Sequence, residues 1–140
     1  DKLLQSKYMF NISTQSDYGM LMISYLNKKT GFIPISELVE KMKLPQRYLA
    51  RIAAVLAKHN VLESREGKIG GYKLANSAKN MNLYDYLRIF EGDMAITRCQ
   101  SKDYACKYDK VCRHNGMLRS SLATTLTKQL KKQKLLSLFD

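Results

Sequence analysis

Acidic residues are scarce in this 140-residue chain: 12 Asp and Glu stand against 24 Lys and Arg, leaving a formal charge of +12. Such a surplus self-repels in a compact state, so a polyanionic partner is inferred, with ordinary solubility as the plain alternative. Tryptophan is missing, and no apolar run reaches the roughly 18 residues that a membrane span needs. No strongly amphipathic basic helix with large apolar residues occurs either, which makes an anionic membrane the weaker partner. A basic-then-apolar leader with a small-residue cleavage site is lacking, so the expectation is a cytoplasmic protein. Cysteine is rare as well. The three present all fall between Cys99 and Cys112. An odd number packed so tightly is poor material for a disulfide framework and better material for one metal centre.

What is present fits one modest domain with a real core: 45% of residues are hydrophobic and 26% charged, which argues against general disorder. Met9 reads as a natural start, with residues 1–8 an extension or an expression remnant that is given no function. The spacing of Tyr18, Leu21, Met22, Tyr25 and Leu26 predicts a helix from about Ser13 to Lys28, capped by Ser13 or Ser16 and broken by Gly31. Residues Phe32-Ile33-Pro34-Ile35 are extended, as the residue before a proline prefers. Ser36 opens a short helix over Glu37–Met42 with Leu38, Val39 and Met42 apolar. After the turn Lys43-Leu44-Pro45, a third helix runs to about His59 with Leu49, Ile52, Ala53 and Leu56 on one face. Two short helices joined by so tight a turn are a helix-turn-helix candidate; a plain helical hairpin with a solvated basic face is the alternative.

The following residues favour the first reading. Segments 60–65 and 72–74 read as strands, and Glu66-Gly67-Lys68-Ile69-Gly70-Gly71 between them reads as a glycine-rich hairpin tip. Glycine there supplies positive φ and lets backbone N–H groups approach a phosphate. A helix-turn-helix followed by such a hairpin is the pattern of a winged helix. Asn82 starts a fourth helix, helped by Asp85, with Leu83, Leu87 and Phe90 as its buried edge and Gly92 as its end. A long helix is expected over about 115–136, with Leu118, Leu122, Leu126 and Leu130 as a stripe that a second copy of the chain would cover. The fold class expected is therefore mostly α with a small β-hairpin: a winged helix-turn-helix over residues 9–80, then a cysteine loop and dimerisation helix over 81–140, in one compact unit.

Thiolates are soft ligands suited to iron–sulfur clusters, zinc or cuprous copper. Structural zinc prefers cysteine pairs two to four residues apart, whereas Cys99, Cys106 and Cys112 are separated by six and five residues, as a loop around a larger cluster would need. A fourth ligand must then come from elsewhere. His114 and Asp17 are the candidates, each with a bland alternative: a surface histidine, and a first-turn acid favouring a helix N-terminus.

With these residues in view, the chain resembles the bacterial Rrf-type regulators, the IscR and NsrR family, over nearly all of residues 9–140. The carrying residues are Asp17-Tyr18-Gly19, Tyr48-Leu49, Gly67-x-x-Gly70-Gly71-Tyr72-x-Leu74, Glu91-Gly92 and the three cysteines. The resemblance implies a homodimer in which each cysteine loop holds a two-iron or four-iron cluster, whose loss, oxidation or nitrosylation alters DNA affinity. Asp17-Tyr18-Gly19 is similar to the nitric-oxide-sensing branch, whose fourth ligand is this Asp donated by the partner protomer. In the IscR branch a His lies three positions after the last Cys. Here that position is Asn115, so Asp17 is preferred to His114. Two departures stand out: Glu66 occupies the wing position that is usually Arg, with Arg65 one place earlier, and Ala50 replaces an acid after Tyr48-Leu49.

The reading is then a non-enzymatic DNA-binding repressor of pseudo-palindromic double-stranded operators. Ser36, Gln46, Arg47, Tyr48, Arg51, Arg65, Lys68, Gly70, Gly71, Tyr72 and Lys73 form its DNA contacts. Cys99, Cys106, Cys112 and Asp17, with His114 as alternative, are its iron–sulfur ligands. The rivals are a winged-helix regulator with structural zinc or no metal, answering to a metabolite or partner protein, and an electron carrier. The last is disfavoured by the wing, the charge and the lack of any convergent acid–base or nucleophile arrangement.

Overall fold

The structure, a computed structural model, describes residues 11–93, 95, 104–113 and 121–140. Cys99, His114 and the first part of the expected long helix lie outside the described residues. Helix α1 (Thr14–Asn27) is capped by Ser13, whose hydroxyl accepts from the Ser16 N–H. It buries Ser16, Gly19, Met22, Ile23 and Leu26. Leu21, expected in the buried stripe, is exposed instead, because the packed face is rotated toward Gly19 and Ile23.

Helix α2 (Ile35–Met42) starts behind Pro34 and buries Leu38. Lys43 closes it in the left-handed conformation (φ 53°), a conformation that lets the chain reverse sharply but is usually taken by glycine. Helix α3 (Gln46–Lys58) begins behind Pro45, which serves as the cap residue and not as the first helical one. Its buried residues are Leu49, Ile52, Ala53 and Leu56, the face that the sequence periodicity predicts.

Strands β1 (Leu62–Arg65) and β2 (Gly71–Leu74) pair antiparallel, with Leu62 opposite Leu74 and Glu63 opposite Lys73. The extended segment before α2 adds a third, single-bridge partner. Ile33 N–H donates to the Tyr72 carbonyl at 2.8 Å and Tyr72 N–H donates back to Ile33 at 2.9 Å. This ties the hairpin to the α1–α2 connection.

Helix α4 (Leu83–Glu91) is capped by Asn82, whose side chain accepts from Asp85 N–H at 2.8 Å. Such a cap contributes about 1 kcal/mol. Tyr86 and Leu87 are its buried residues, while Leu83 and Phe90 are only half-buried. Helix α5 (Ala123–Lys132) ends four residues before the expected Leu136. Gln133 turns extended so that its carbonyl accepts from Leu83 N–H (2.8 Å), and Leu135 N–H then donates to Met81 (2.9 Å). That turn drives Leu135 to full burial in the common core, which a continued straight helix would not do. Among the described residues, no helix is long and apolar enough to cross a membrane. The described residues are mostly helical with one small hairpin.

Candidate nucleic-acid interface and cysteine loop

The first turn of α3 presents Gln46 and Arg47 to solvent, and Arg51 follows one turn later, also exposed. Ser36 is exposed in the first turn of α2. Tyr48 is not a free reader. Its ring meets Tyr18 of α1 edge-on, with centroids 5.8 Å apart, and the side chain is half-buried.

The hairpin lies beside these helices across a groove of about 370 Å³. Pro34, Ile35 and Ala50 form one wall, and Arg65, Glu66, Lys68 and Tyr72 stand on the other. Lys68 and Ile69 are fully presented at the tip, and Ile69 is 87% exposed. Lys73 is engaged across the strands by Glu63 at 3.2 Å, a surface pair of small energetic weight. Arg65 lies over the Phe32 ring with its guanidinium carbon 4.2 Å from the centroid.

The wing glycines are also needed inside the fold. A Cβ on Gly70 would collide with the Arg65 carbonyl, and one on Gly71 with the Ile33 carbonyl. The Gly70 N–H is also used inside the turn, donating to Gly67 at 3.1 Å. Tyr72 is half-buried and holds the Ile33 bridge.

Asp17-Tyr18-Gly19 proves to be a junction. Tyr18 packs on Tyr48 of α3. Gly19 makes room for the Tyr86 hydroxyl and the Phe90 ring of α4, which any Cβ there would strike. That hydroxyl donates to the Ser16 carbonyl at 2.6 Å in the interior. Burial, and then the charges of Asp17 and Glu91, push its ionisation far up, so it stays a donor. Glu91 reaches back from the end of α4 to the start of α1, accepting from Ser13 N–H (2.7 Å) and from the Ser16 hydroxyl (2.5 Å). Burial pushes the Glu91 carboxyl up, but these hydrogen bonds outweigh it and leave the group below the usual carboxylate value. In the sequence, Glu91-Gly92 reads as a helix end and as part of the family resemblance, not as a partner of α1. An acid there, beside a Ser-rich helix start far away in sequence, carries no local signal of the pairing.

Asp17 itself is exposed in the first turn of α1. Cys106 and Cys112 are free, half-buried thiols flanking one turn, in which Cys112 N–H donates to Tyr108 at 2.8 Å. Among the described residues, no three metal-ligating side chains converge; the expected set includes Cys99, outside them. The described donors are of the right chemistry for a thiolate-bound group: Cys106 and Cys112 are soft ligands that flank a single turn and are partly withdrawn from water.

The profile of a family described as "Rrf2: Iron-dependent Transcriptional regulator" matches residues 12–140. The chain is similar to the HTH-type transcriptional regulator NsrR of Shouchella clausii, 21% identical over 118 residues, covering 82% of this chain and 79% of that one. It is also similar to the HTH-type transcriptional regulator IscR of Klebsiella pneumoniae, 28% identical over 89 residues, or 64% of this chain. That match spans 55% of the Klebsiella protein's own length. Among solved structures, CymR, the global cysteine regulator of B. subtilis, superposes with a TM-score of 0.69 at 22% identity, covering 93% of this chain and 96% of that one. At this identity the likeness speaks for the fold, which is that of a winged-helix regulator.

Proposed function

This chain belongs to the Rrf2 family of transcriptional regulators, and we propose that it represses transcription as a homodimer on a pseudo-palindromic operator, its DNA affinity set by a cysteine-ligated iron–sulfur cluster. The signal is then nitric oxide, redox state or cluster supply. One observation carries the reading: on a chain of charge +12, the start of α2 and Ala50 of α3 face the glycine-tipped hairpin across a single groove, and α3 also carries the exposed Gln46, Arg47 and Arg51. Gln46, Arg47 and Arg51 read base edges and phosphates in a major groove, Ser36 and Lys68 hold the backbone, and Tyr48 is braced by Tyr18. Gly70, Gly71 and Tyr72 shape the wing, with Arg65 and Lys73 along it. The exposed Leu122, just before α5, and Leu126 within it support the second copy as their cover.

Cys99, Cys106, Cys112 and Asp17 would hold the cluster, with His114 as the alternative fourth ligand. When bound, it supplies iron that reacts with nitric oxide and oxidants. Around it, the chain's own residues do the coupling. Asp17 adjoins Tyr18, which touches the recognition helix, and Ser16, which Glu91 binds just before the cysteine loop begins. A group held by Asp17 would therefore act on α1, which contacts both α3 and α4.

Two measurements test the proposal. Protein purified without oxygen should be coloured and contain iron and sulfide, and Cys106→Ser or Cys112→Ser should remove both. Colourless wild type with stoichiometric zinc would leave the regulator without its sensor. Independently, Lys68→Ala should reduce the slope of log affinity against log salt by about one. An unchanged slope would take Lys68 out of the interface.

A further inference from the structure

We propose that Phe32 is a positioning residue of the DNA interface: its ring holds the Arg65 guanidinium for a phosphate and so restores to the wing the cation that Glu66 withholds. The inference rests on the DNA-binding reading above. Phe32 precedes Ile33, which bridges Tyr72, so strand alternation sets Phe32 beside Lys73, and Lys73 lies opposite Glu63. Arg65, two residues beyond Glu63, shares that face. The Arg65 guanidinium carbon is 4.2 Å and the Lys73 ammonium 5.0 Å from the centroid of the same half-buried ring. Both are within the reach of a cation–π attraction.

The two cations on one ring differ in what else they meet. Glu63 lies 3.2 Å from Lys73 and offsets its charge. Among the described residues no carboxylate comes within salt-bridge range of Arg65, so its charge is left for an outside partner. Arg65 lines the groove that faces α2 and α3, next to the exposed Glu66, which repels any phosphate entering there. The wing therefore needs Arg65 in a defined place. A guanidinium laid against a ring keeps its planar fork of N–H donors open to a phosphate. It also loses less rotamer freedom on binding than one that must first be ordered.

The test is a double-mutant cycle on DNA affinity, using a labelled mixed-sequence duplex of about 30 base pairs, long enough for two half-sites a helical turn apart. Phe32→Leu, which keeps apolar bulk and removes the ring, should weaken binding about three- to five-fold. Phe32→Tyr, which keeps the ring, should bind like wild type. Arg65→Ala should weaken binding and reduce the salt slope by about one, and in that background Phe32→Leu should have no further effect. A Phe32→Leu loss that persists unchanged in the Arg65→Ala background, or an equal loss in Phe32→Tyr, overturns the proposal and leaves DNA binding standing. Wild type that shows no salt-dependent binding to any duplex overturns both.

Discussion

Gly71→Ala should destabilise the protein by on the order of 3 kcal/mol or more and detach the hairpin from the rest of the domain. The backbone at Gly71 has φ 140°, where side chains with a Cβ are strained. A Cβ at this position also runs into the Ile33 carbonyl. That carbonyl accepts from Tyr72 N–H at 2.9 Å, so relieving the clash breaks the two-bond bridge holding β2 to the α1–α2 connection. Gly67→Ala is the internal control. Its φ is 98°, but nothing lies within 4 Å of the added carbon. Only conformational strain remains, about 1–2 kcal/mol. Thermal unfolding of the two variants, followed by DNA binding below their transitions, separates them. Equal losses in both would show that close approach to Ile33 is not what reserves this position for glycine.

Tyr86 is the second site of large effect. It is fully buried, and its hydroxyl ends on the Ser16 carbonyl of α1. Truncation to alanine should cost about 3–5 kcal/mol through the cavity it opens, whereas Tyr86→Phe should cost only about 1–2 kcal/mol for the lost hydrogen bond. The neighbouring Glu91 adds a pH dependence. Its carboxyl is held below its ordinary value of 4.5 by Ser16 and Ser13, despite the opposing push of burial. A lowered folded value means that its contribution is complete above pH 4.5 and is lost as pH falls below that through the folded value. Acid unfolding of Glu91→Gln should accordingly be less steep in that window than that of wild type. An identical acid profile would mean that the hydrogen bonds to α1 do not favour the ionised form.

Both sites show where local patterning stops being informative. The packed face of α3, the Asn82 cap and the glycine-tipped hairpin were all legible, and the first cap was narrowed to Ser13 or Ser16, because each is set by residues within a turn or two of one another. The candidate interface was chosen from residue types, since long donors at a helix start and glycines in a hairpin are local features. The inward turn of Leu135 after α5 was hidden, because nothing in a leucine stripe tells which residue will leave it to pair with the chain before α4. The aromatic contacts of the candidate interface, Tyr18 on Tyr48 and both Arg65 and Lys73 on Phe32, join residues far apart in the chain.

The amino-acid order alone thus determined the packed face of α3, the Asn82 cap, the hairpin, the excess of positive charge and the tight grouping of thiols. Only tertiary packing decided that Gly70 and Gly71 are needed for close backbone approach, that Glu91 binds the start of α1, and that Arg65 lies on Phe32 while Lys73 is matched by Glu63. The division has a physical cause. Dihedral preference and amphipathic spacing act over a few residues, whereas excluded volume, buried hydrogen bonds and paired charges depend on which distant segments are brought together.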